Sequence, residues 1–198
     1  MEDGLELTTK YTILHGADAI DVFDSMRDRY TDDPCTDVIL LQTVSGDLMM
    51  NAGIARQINN RYGFKDYIFR SLIRLGVKCN VQNHQLVVTN PLGVGTVVRQ
   101  HLINGGHGDI YALVTKDLYY NKPSPNTMRA ALTHLAMREI VSGEAEDYIV
   151  VMPAIGCGLD RMKWEDVYYI LQSIFAKLGN VKFVICFKEE KENAEENM

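Results

Sequence analysis

Three loops of this chain contain residues that could bind an anion or move a proton. The first, SGDLMMNAGIA at 45–55, is a glycine-containing turn that leads directly into a predicted helix, where exposed backbone N–H groups could hold a phosphate. The second begins at Lys116, which ends an apolar run. The third, PAIGCGLD at 153–160, has two glycines flanking a small residue, which lets the backbone approach a ligand closely. Taken alone, each loop is explained as well by an ordinary connection.

The reactive side chains in these loops also have plain structural explanations. Lys116 could supply an amine nucleophile, but most lysines at a strand end are solvated. Asp160 places a carboxylate at the lip of the third loop, although an aspartate there commonly caps the following helix. Cys157 could be a nucleophile, but no histidine is placed by the sequence to activate it. Close packing in a tight loop is the better interpretation of Cys157.

These loops follow predicted strands, because apolar runs precede each of them. The segment DVILLQTV at 37–44 is almost continuously apolar, as in strands buried on both faces of a parallel sheet. Further strands are predicted at 10–15, 110–115, 148–152 and 181–187, with a strand pair over 77–90 that turns at 82–84. Helical spacing of apolar residues predicts helices at 17–30, 54–62, 65–75, 125–142 and 164–178. No element is predicted for the glycine-rich segment 93–108.

The alternation of strands and helices predicts an α/β fold with a mainly parallel central sheet covered by helices on both faces. In such folds, ligands bind beyond the carboxyl ends of the strands. The loops after 37–44, 110–115 and 148–152 should therefore meet at one edge of the sheet.

Composition excludes several classes of protein. A chain of 198 residues with 46% hydrophobic and 23% charged residues suits one globular domain. The net charge of −6 argues against a general nucleic-acid binder. The four cysteines are far apart, without CxxC spacing, which argues against a structural zinc site and a disulfide scaffold. We expect no metal, no cofactor, and no membrane span of ~20 apolar residues.

Together these pieces resemble a macro domain, and more narrowly the terminal ADP-ribose protein glycohydrolase type. The resemblance is carried by TDVILLQTVSGDLMMNAGIARQINNRYG (36–63), IYALVTKDLYYNKPS (110–124) and VMPAIGCGLDRMKWEDV (151–167). It implies a three-layer α/β/α sandwich with ADP-ribose lying across the strand ends. The implied domain spans 10–187, between a lead-in at 1–9 and an acidic tail at 188–198 expected to be disordered.

The resemblance also implies site residues. Lys116 and Asp160 fall on the positions of the family's catalytic lysine and aspartate. The segment Asn51, Ala52 and Gly53 resembles the first ligand loop, along the distal ribose and diphosphate. The implied ligand-binding set comprises Asp18, Ser45, Asn51, Ala52, Gly53, Ile54, Thr115, Ile155, Gly156, Cys157, Gly158 and Leu159.

The implied chemistry suits these residue types. An ADP-ribosyl ester on glutamate or aspartate migrates around the distal ribose, so the anomeric carbon can open to an aldehyde. A neutral Lys116 amine can attack that carbon and give a Schiff-base adduct, and the Asp160 carboxylate can move the protons and help to release it. Burial of Lys116 favours the neutral amine, whereas a close Asp160 opposes it.

The chain departs from the family pattern in several places. Asn51 stands where glycine is usual, and Ala154 stands where arginine often follows the proline of the third loop. The family's adenine-binding aspartate directly follows a glycine, whereas in HGADAID the candidate, Asp18, is displaced by one residue. The segment 77–108 is longer than the family pattern and could shape access to the site.

Three functions therefore stay open at the level of sequence. The first is hydrolysis of ADP-ribose from acidic side chains of modified protein. The second is an ADP-ribose-1″-phosphate phosphatase or O-acetyl-ADP-ribose deacetylase, and the third is a non-catalytic reader of ADP-ribose. The expected partners are ADP-ribose and ADP-ribosylated proteins. We expect a monomer in the cytoplasm, or in the nucleus if the source is eukaryotic.

Overall fold

The computed structural model describes residues 10–82, 85–102 and 108–188. The lead-in 1–9, the tail from 189 onward and most of the turn expected at 82–84 lie outside these residues. The strands are β1 (Tyr11–His15), β2 (Thr36–Ser45), β3 (Cys79–Gln82), β4 (Gln85–Val88), β5 (Val97–Leu102), β6 (Gly108–Lys116), β7 (Asp147–Pro153) and β8 (Val181–Phe187). The helices are α1 (Ala19–Arg29), α2 (Gly53–Tyr62), α3 (Phe64–Arg74), α4 (Pro125–His134) and α5 (Trp164–Phe175).

Six strands form one sheet in the order β1-β8-β7-β2-β6-β5. Every neighbouring pair is parallel except β5 and β6, which are antiparallel. β3 and β4 pair with each other as a separate antiparallel hairpin. The predicted mainly parallel sheet is confirmed, and β2 and β7 lie at its centre.

Alternation of side chains along β2 explains the three layers. Leu40 and Val44 belong to the core cluster that includes side chains of α1, α2 and α3. Ile39 and Leu41 belong to a second cluster with side chains of α4 and α5. Because successive side chains of a strand point to opposite faces, the almost continuously apolar run of β2 supplies both cores. The predicted α/β/α sandwich is confirmed.

Local signals set where the helices begin and end. The Ser124 side chain caps α4 by accepting a hydrogen bond from the Thr127 N–H, and Pro125 occupies the first turn. Gly63 ends α2 with a φ of 63°, the left-handed region that favours glycine. α4 continues as a π-helix, Leu135–Ile140, which apolar spacing alone did not separate from the predicted α-helix.

The main correction to the predicted elements is β5, in the segment for which no element was predicted. β5 is one of the two edge strands of the sheet, and only Gln100 among its residues is buried. An edge strand of this kind lacks the continuous apolar run of a central strand, so its sequence pattern is weak. Its existence depends on pairing with β6. No helix in the described ranges has the length and apolar character needed to cross a bilayer.

Candidate functional site

A cavity of about 780 Å³ lies at the carboxyl ends of β2, β6 and β7. Its lining includes the turn after β2, the loop after β6 and the loop after β7, the three loops expected to meet there. Every predicted site residue except Thr115 lines this cavity. Among the described residues, no group of three or more histidine, cysteine or acidic side chains is arranged to hold a metal ion.

Lys116 and Asp160 meet at the cavity. The Lys116 Nζ donates a hydrogen bond to Asp160 Oδ1 at 2.5 Å, and the two side chains are only 13% and 12% exposed. An ammonium–carboxylate contact this short and this shielded is a strong, charge-assisted hydrogen bond. This hydrogen bond can also carry a proton from the Lys116 ammonium to the Asp160 carboxylate, which would leave a nucleophilic amine.

A β-bulge determines where Lys116 lies. Val44 pairs with Val114, but the next residue of β2, Ser45, pairs with Lys116, so Thr115 is an extra residue on β6. Bulges of this kind re-aim a side chain next to a site. Thr115 itself is fully buried and lies outside the cavity lining, and its hydroxyl has no hydrogen-bond partner among the residues that the structure describes. The structure therefore gives no support to direct ligand binding by the Thr115 side chain.

The first loop presents a helix N-terminus to the cavity. α2 begins at Gly53, and its N-cap residue, Ala52, makes no side-chain capping bond. The first N–H groups of a helix lack intrahelical acceptors and carry a partial positive charge. Gly53 and Ile54 both line the cavity, so this end of α2 is suited to an anion.

The third loop, which follows β7, contains two glycines in different surroundings. Gly156 has a φ of 74°, in the left-handed region, and a Cβ there would lie 2.9 Å from Met128 Cε. A Cβ on Gly158 would meet no atom of the described residues within 4 Å. The Cys157 N–H donates to the Ala154 carbonyl at 3.1 Å, so this group is engaged within the loop rather than aimed at a ligand.

Cys157 lacks the properties of a nucleophile. Burial, and secondarily the negative charge of Glu165, raise the pKa of the Cys157 thiol to about 11. The thiol donates a weak hydrogen bond to the Ile155 carbonyl. At neutral pH it is therefore protonated, and the thiolate is the reactive form. Both the burial of the thiol and its hydrogen bond to Ile155 support the interpretation that Cys157 packs within a tight loop.

Asp18 lies at the other end of the cavity, where it also caps α1. One carboxylate oxygen accepts the Ile20 N–H at 2.9 Å, and the other accepts from Lys188 Nζ at 2.8 Å. Burial tends to raise the pKa of Asp18, but the hydrogen bonds from Lys188 and the Ile20 N–H outweigh it and lower that pKa. Lys188, the first residue of the predicted tail, thus belongs to the cavity wall.

Tyr119 and Lys122 are cavity residues that sequence reasoning did not select. The Lys122 Nζ donates to the Leu159 carbonyl at 2.6 Å and joins the loop after β6 to the loop after β7. Lys122 lies in the segment 110–124 that carries the resemblance, but nothing in its spacing indicates a partner 37 residues away.

Comparison with known proteins agrees with this geometry. No family model matches the chain. A stretch of 66 residues is 36% identical to ADP-ribose glycohydrolase OARD1 of Bos taurus, and covers 33% of this chain and 41% of that protein. The chain thus matches less than half the length of this curated relative.

Solved structures match over most of the chain. The macrodomain of Mycobacterium tuberculosis DarG has a TM-score of 0.60 at 21% identity, covering 90% of this chain and 99% of the other. Thermosipho africanus DarTG in complex with ADP-ribose has a TM-score of 0.61 at 15% identity, covering 98% of this chain and 44% of the other. The chain has the macrodomain fold, as its sequence motifs predicted.

Proposed function

We propose that this chain binds ADP-ribose in the cavity and hydrolyses it from modified glutamate or aspartate side chains. The observation that carries the proposal is the contact between Lys116 Nζ and Asp160 Oδ1 at the cavity, both largely shielded from water. The relatives named above support it, one being a named ADP-ribose glycohydrolase and another a structure in complex with ADP-ribose.

The proposed placement of the ligand follows the chemistry of the walls. The diphosphate lies between the N-terminus of α2 and the glycine loop after β7, because both offer backbone rather than side-chain contacts. The adenine lies toward Asp18, and the distal ribose lies toward Ser45 and Asn51. This placement brings the distal ribose to Lys116 and Asp160, so the ester linkage is presented to the reactive pair.

In the proposed reaction, the Lys116 ammonium first gives up a proton, either to Asp160 or to water. The free amine attacks the aldehyde carbon of the opened distal ribose, and loss of water gives an imine. Asp160 then directs water back to the imine carbon, which regenerates the Lys116 amine. Before that hydrolysis, another water attacks the acyl carbon of the ester on the neighbouring sugar hydroxyl, so the acyl–oxygen bond breaks and the carboxylic acid leaves. One water is lost in imine formation and two are consumed, one at the ester and one at the imine. The net reaction therefore uses one water and gives the unmodified side chain and free ADP-ribose.

The direct test is release of ADP-ribose from a transferase auto-modified on acidic side chains. We expect stoichiometric release at catalytic concentrations of the protein, together with calorimetric binding of ADP-ribose and much weaker binding of ATP and NAD. Binding without release would favour a reader. Release only from ADP-ribose-1″-phosphate or O-acetyl-ADP-ribose would favour the phosphatase or the deacetylase, and stronger binding of ATP would contradict an ADP-ribose site.

A further inference from the structure

Asp47, within the first loop, has a buried carboxylate that lies outside the cavity lining. The residue is 5% exposed, and three donors converge on it. Its Oδ1 accepts from the Ser45 hydroxyl at 2.5 Å and from the Met49 N–H at 3.2 Å. Its Oδ2 accepts from the Tyr119 N–H at 3.1 Å. One carboxylate therefore connects the turn after β2 to the loop after β6.

The backbone reinforces this connection beside Lys116. The Gly46 N–H donates to the Lys116 carbonyl at 2.8 Å, and the Asp47 N–H donates to the Asp117 carbonyl at 3.1 Å. A Cβ on Gly46 would lie 2.3 Å from the Leu92 carbonyl oxygen, so only glycine fits at this close approach. The turn after β2 therefore lies directly against the backbone of the residue proposed to act as the nucleophile.

Lys65 supports the same turn from the side of α3. Its buried Nζ donates to the Met49 carbonyl at 2.9 Å. Burial lowers the pKa of Lys65, and the negative charge of Asp47 acts against that shift. A buried carboxylate with nearby positive charge and several donors is held in one arrangement, because breaking any contact leaves a polar group unsatisfied.

The turn that Asp47 holds adopts an unfavourable backbone conformation. Leu48 and Met50 have φ values of 54° and 48°, in the left-handed region that non-glycine side chains rarely adopt. Such conformations persist only where surrounding contacts determine them, and they cluster at functional sites. Met49 lies between Leu48 and Met50, and its contacts with Asp47 and Lys65 hold the turn in this conformation.

We propose that Asp47 is a positioning residue that couples the ligand-binding turn to the segment carrying Lys116. Through Oδ1 it shapes the turn beside the bound distal ribose, and through Oδ2 it fixes the loop after β6. The Lys116 amine is thereby kept in line with both Asp160 and the sugar. The inference rests on the proposed hydrolase function, because a reader would not need the second connection.

Asp47→Asn separates the two connections. An asparagine has one acceptor oxygen, and that oxygen is expected to face the two donors, the Ser45 hydroxyl and the Met49 N–H. Its NH₂ group would then face the Tyr119 N–H, donor against donor, so only the side-chain contact with the loop after β6 is lost. The two backbone hydrogen bonds to Lys116 and Asp117 remain. We expect KM within about twofold of wild type and kcat lower by about 10- to 100-fold, since small misplacements of a reacting group have such effects.

The matched control is Asp117→Asn, which removes the same charge from an exposed side chain in the same loop. It should leave both kcat and KM unchanged. Hydrogen exchange gives a second measurement that does not depend on turnover. In Asp47→Asn the amides of 117–121 should exchange faster than in wild type, while those of α2 keep their rates.

Three outcomes would overturn the coupling. These are a wild-type kcat in Asp47→Asn, a rise in KM that accounts for the whole loss, and unchanged exchange over 117–121. Failure of the hydrolase proposal gives a different pattern, because wild type would then release no ADP-ribose at all. In that case faster exchange over 117–121 in Asp47→Asn would still support the connection between the two loops.

Discussion

Lys116 Nζ and Asp160 Oδ1 lie 2.5 Å apart, although the two residues come from different strand ends and are 44 positions apart in sequence. Each side chain is almost entirely shielded from water. Removing one partner of such a pair leaves the other charge uncompensated. The thermal stability of each variant must therefore be measured beside its activity, so that loss of chemistry is not confused with loss of fold.

Lys116→Ala should bind ADP-ribose and release none from modified protein. The cavity walls that hold the diphosphate and adenine are unchanged, whereas the amine that attacks the sugar is absent. Calorimetry should give a Kd within a few-fold of wild type, and the release assay should give no product above background. Lys116→Arg is the matched control for charge, and it should be equally inactive because a guanidinium stays protonated.

Asp160→Ala should fail in a different way. If Asp160 chiefly directs water to the imine, the variant stalls after attack and carries ADP-ribose covalently on Lys116. Intact-protein mass spectrometry after reduction with borohydride should show a single added ADP-ribosyl unit. The double variant should carry none, since no amine is present. Loss of activity without any adduct would mean that Asp160 acts before or during the attack, by taking the lysine proton or by positioning the sugar.

The sequence predicts the fold well where the apolar pattern of a single strand is enough to place that strand. The apolar runs of β2, β6 and β7 predicted buried parallel strands, and parallel strands place their following loops at a common edge. That rule alone predicts that the loops carrying Lys116, Gly53 and Asp160 meet at one cavity. The family resemblance then selects Lys116 and Asp160 as the side chains expected to carry the chemistry.

What the sequence did not indicate depends on contacts between distant segments. The bulge at Thr115 arises from the pairing of β2 with β6, and no local pattern marks it. An aspartate that follows a glycine, as Asp47 does, is typical of an exposed turn. In the structure, however, the Asp47 carboxylate is buried and accepts hydrogen bonds from three donors. The Lys122 contact and the pairing of Lys188 with Asp18 are likewise set by how loops pack.

Gly158→Val should weaken ADP-ribose binding with little loss of stability. A Cβ at Gly158 meets nothing within 4 Å in the described part of the chain, so the fold should tolerate it. Gly158 nevertheless lines the cavity where the diphosphate is proposed to lie. Gly179→Val is the control, because Gly179 is equally open and lies outside the cavity lining. An unchanged Kd in Gly158→Val would contradict this placement of the diphosphate.

Gly158 is a sharper position for this test than Gly156. The left-handed φ of Gly156 and its closeness to Met128 mean that any side chain there strains the fold, at about 1–2 kcal/mol for the backbone alone. A loss of binding in Gly156→Val would therefore combine strain in the fold with the loss of close approach to the diphosphate. The melting temperatures of Gly158→Val and Gly179→Val should instead agree within a few degrees.

Cys157→Ala should retain most of the hydrolytic activity. The thiol has a pKa raised to about 11 by burial and by Glu165, so almost none is thiolate at pH 7 to 8. The rate of release should fall by less than about threefold, and alkylation of wild type with iodoacetamide at pH 7 should leave Cys157 largely unmodified. A near-complete loss of release with unchanged ADP-ribose affinity would assign the nucleophile to Cys157 instead of Lys116.

Lys122→Ala should reduce kcat more than it weakens ADP-ribose binding. The Lys122 Nζ holds the Leu159 carbonyl at 2.6 Å, and Leu159 directly precedes Asp160, so the contact fixes the loop from which the carboxylate projects. Lys122 is exposed, and the contact is therefore weaker than that of the buried Lys116–Asp160 pair. We expect a loss in kcat of about three- to tenfold, with Lys122→Arg restoring most of it because arginine can still donate. Steady-state kinetics on auto-modified transferase, with Lys163→Ala as an exposed-lysine control, measure this effect. If Lys122→Ala instead raises Kd for ADP-ribose and leaves kcat unchanged, Lys122 contacts the ligand directly and does not act through Asp160.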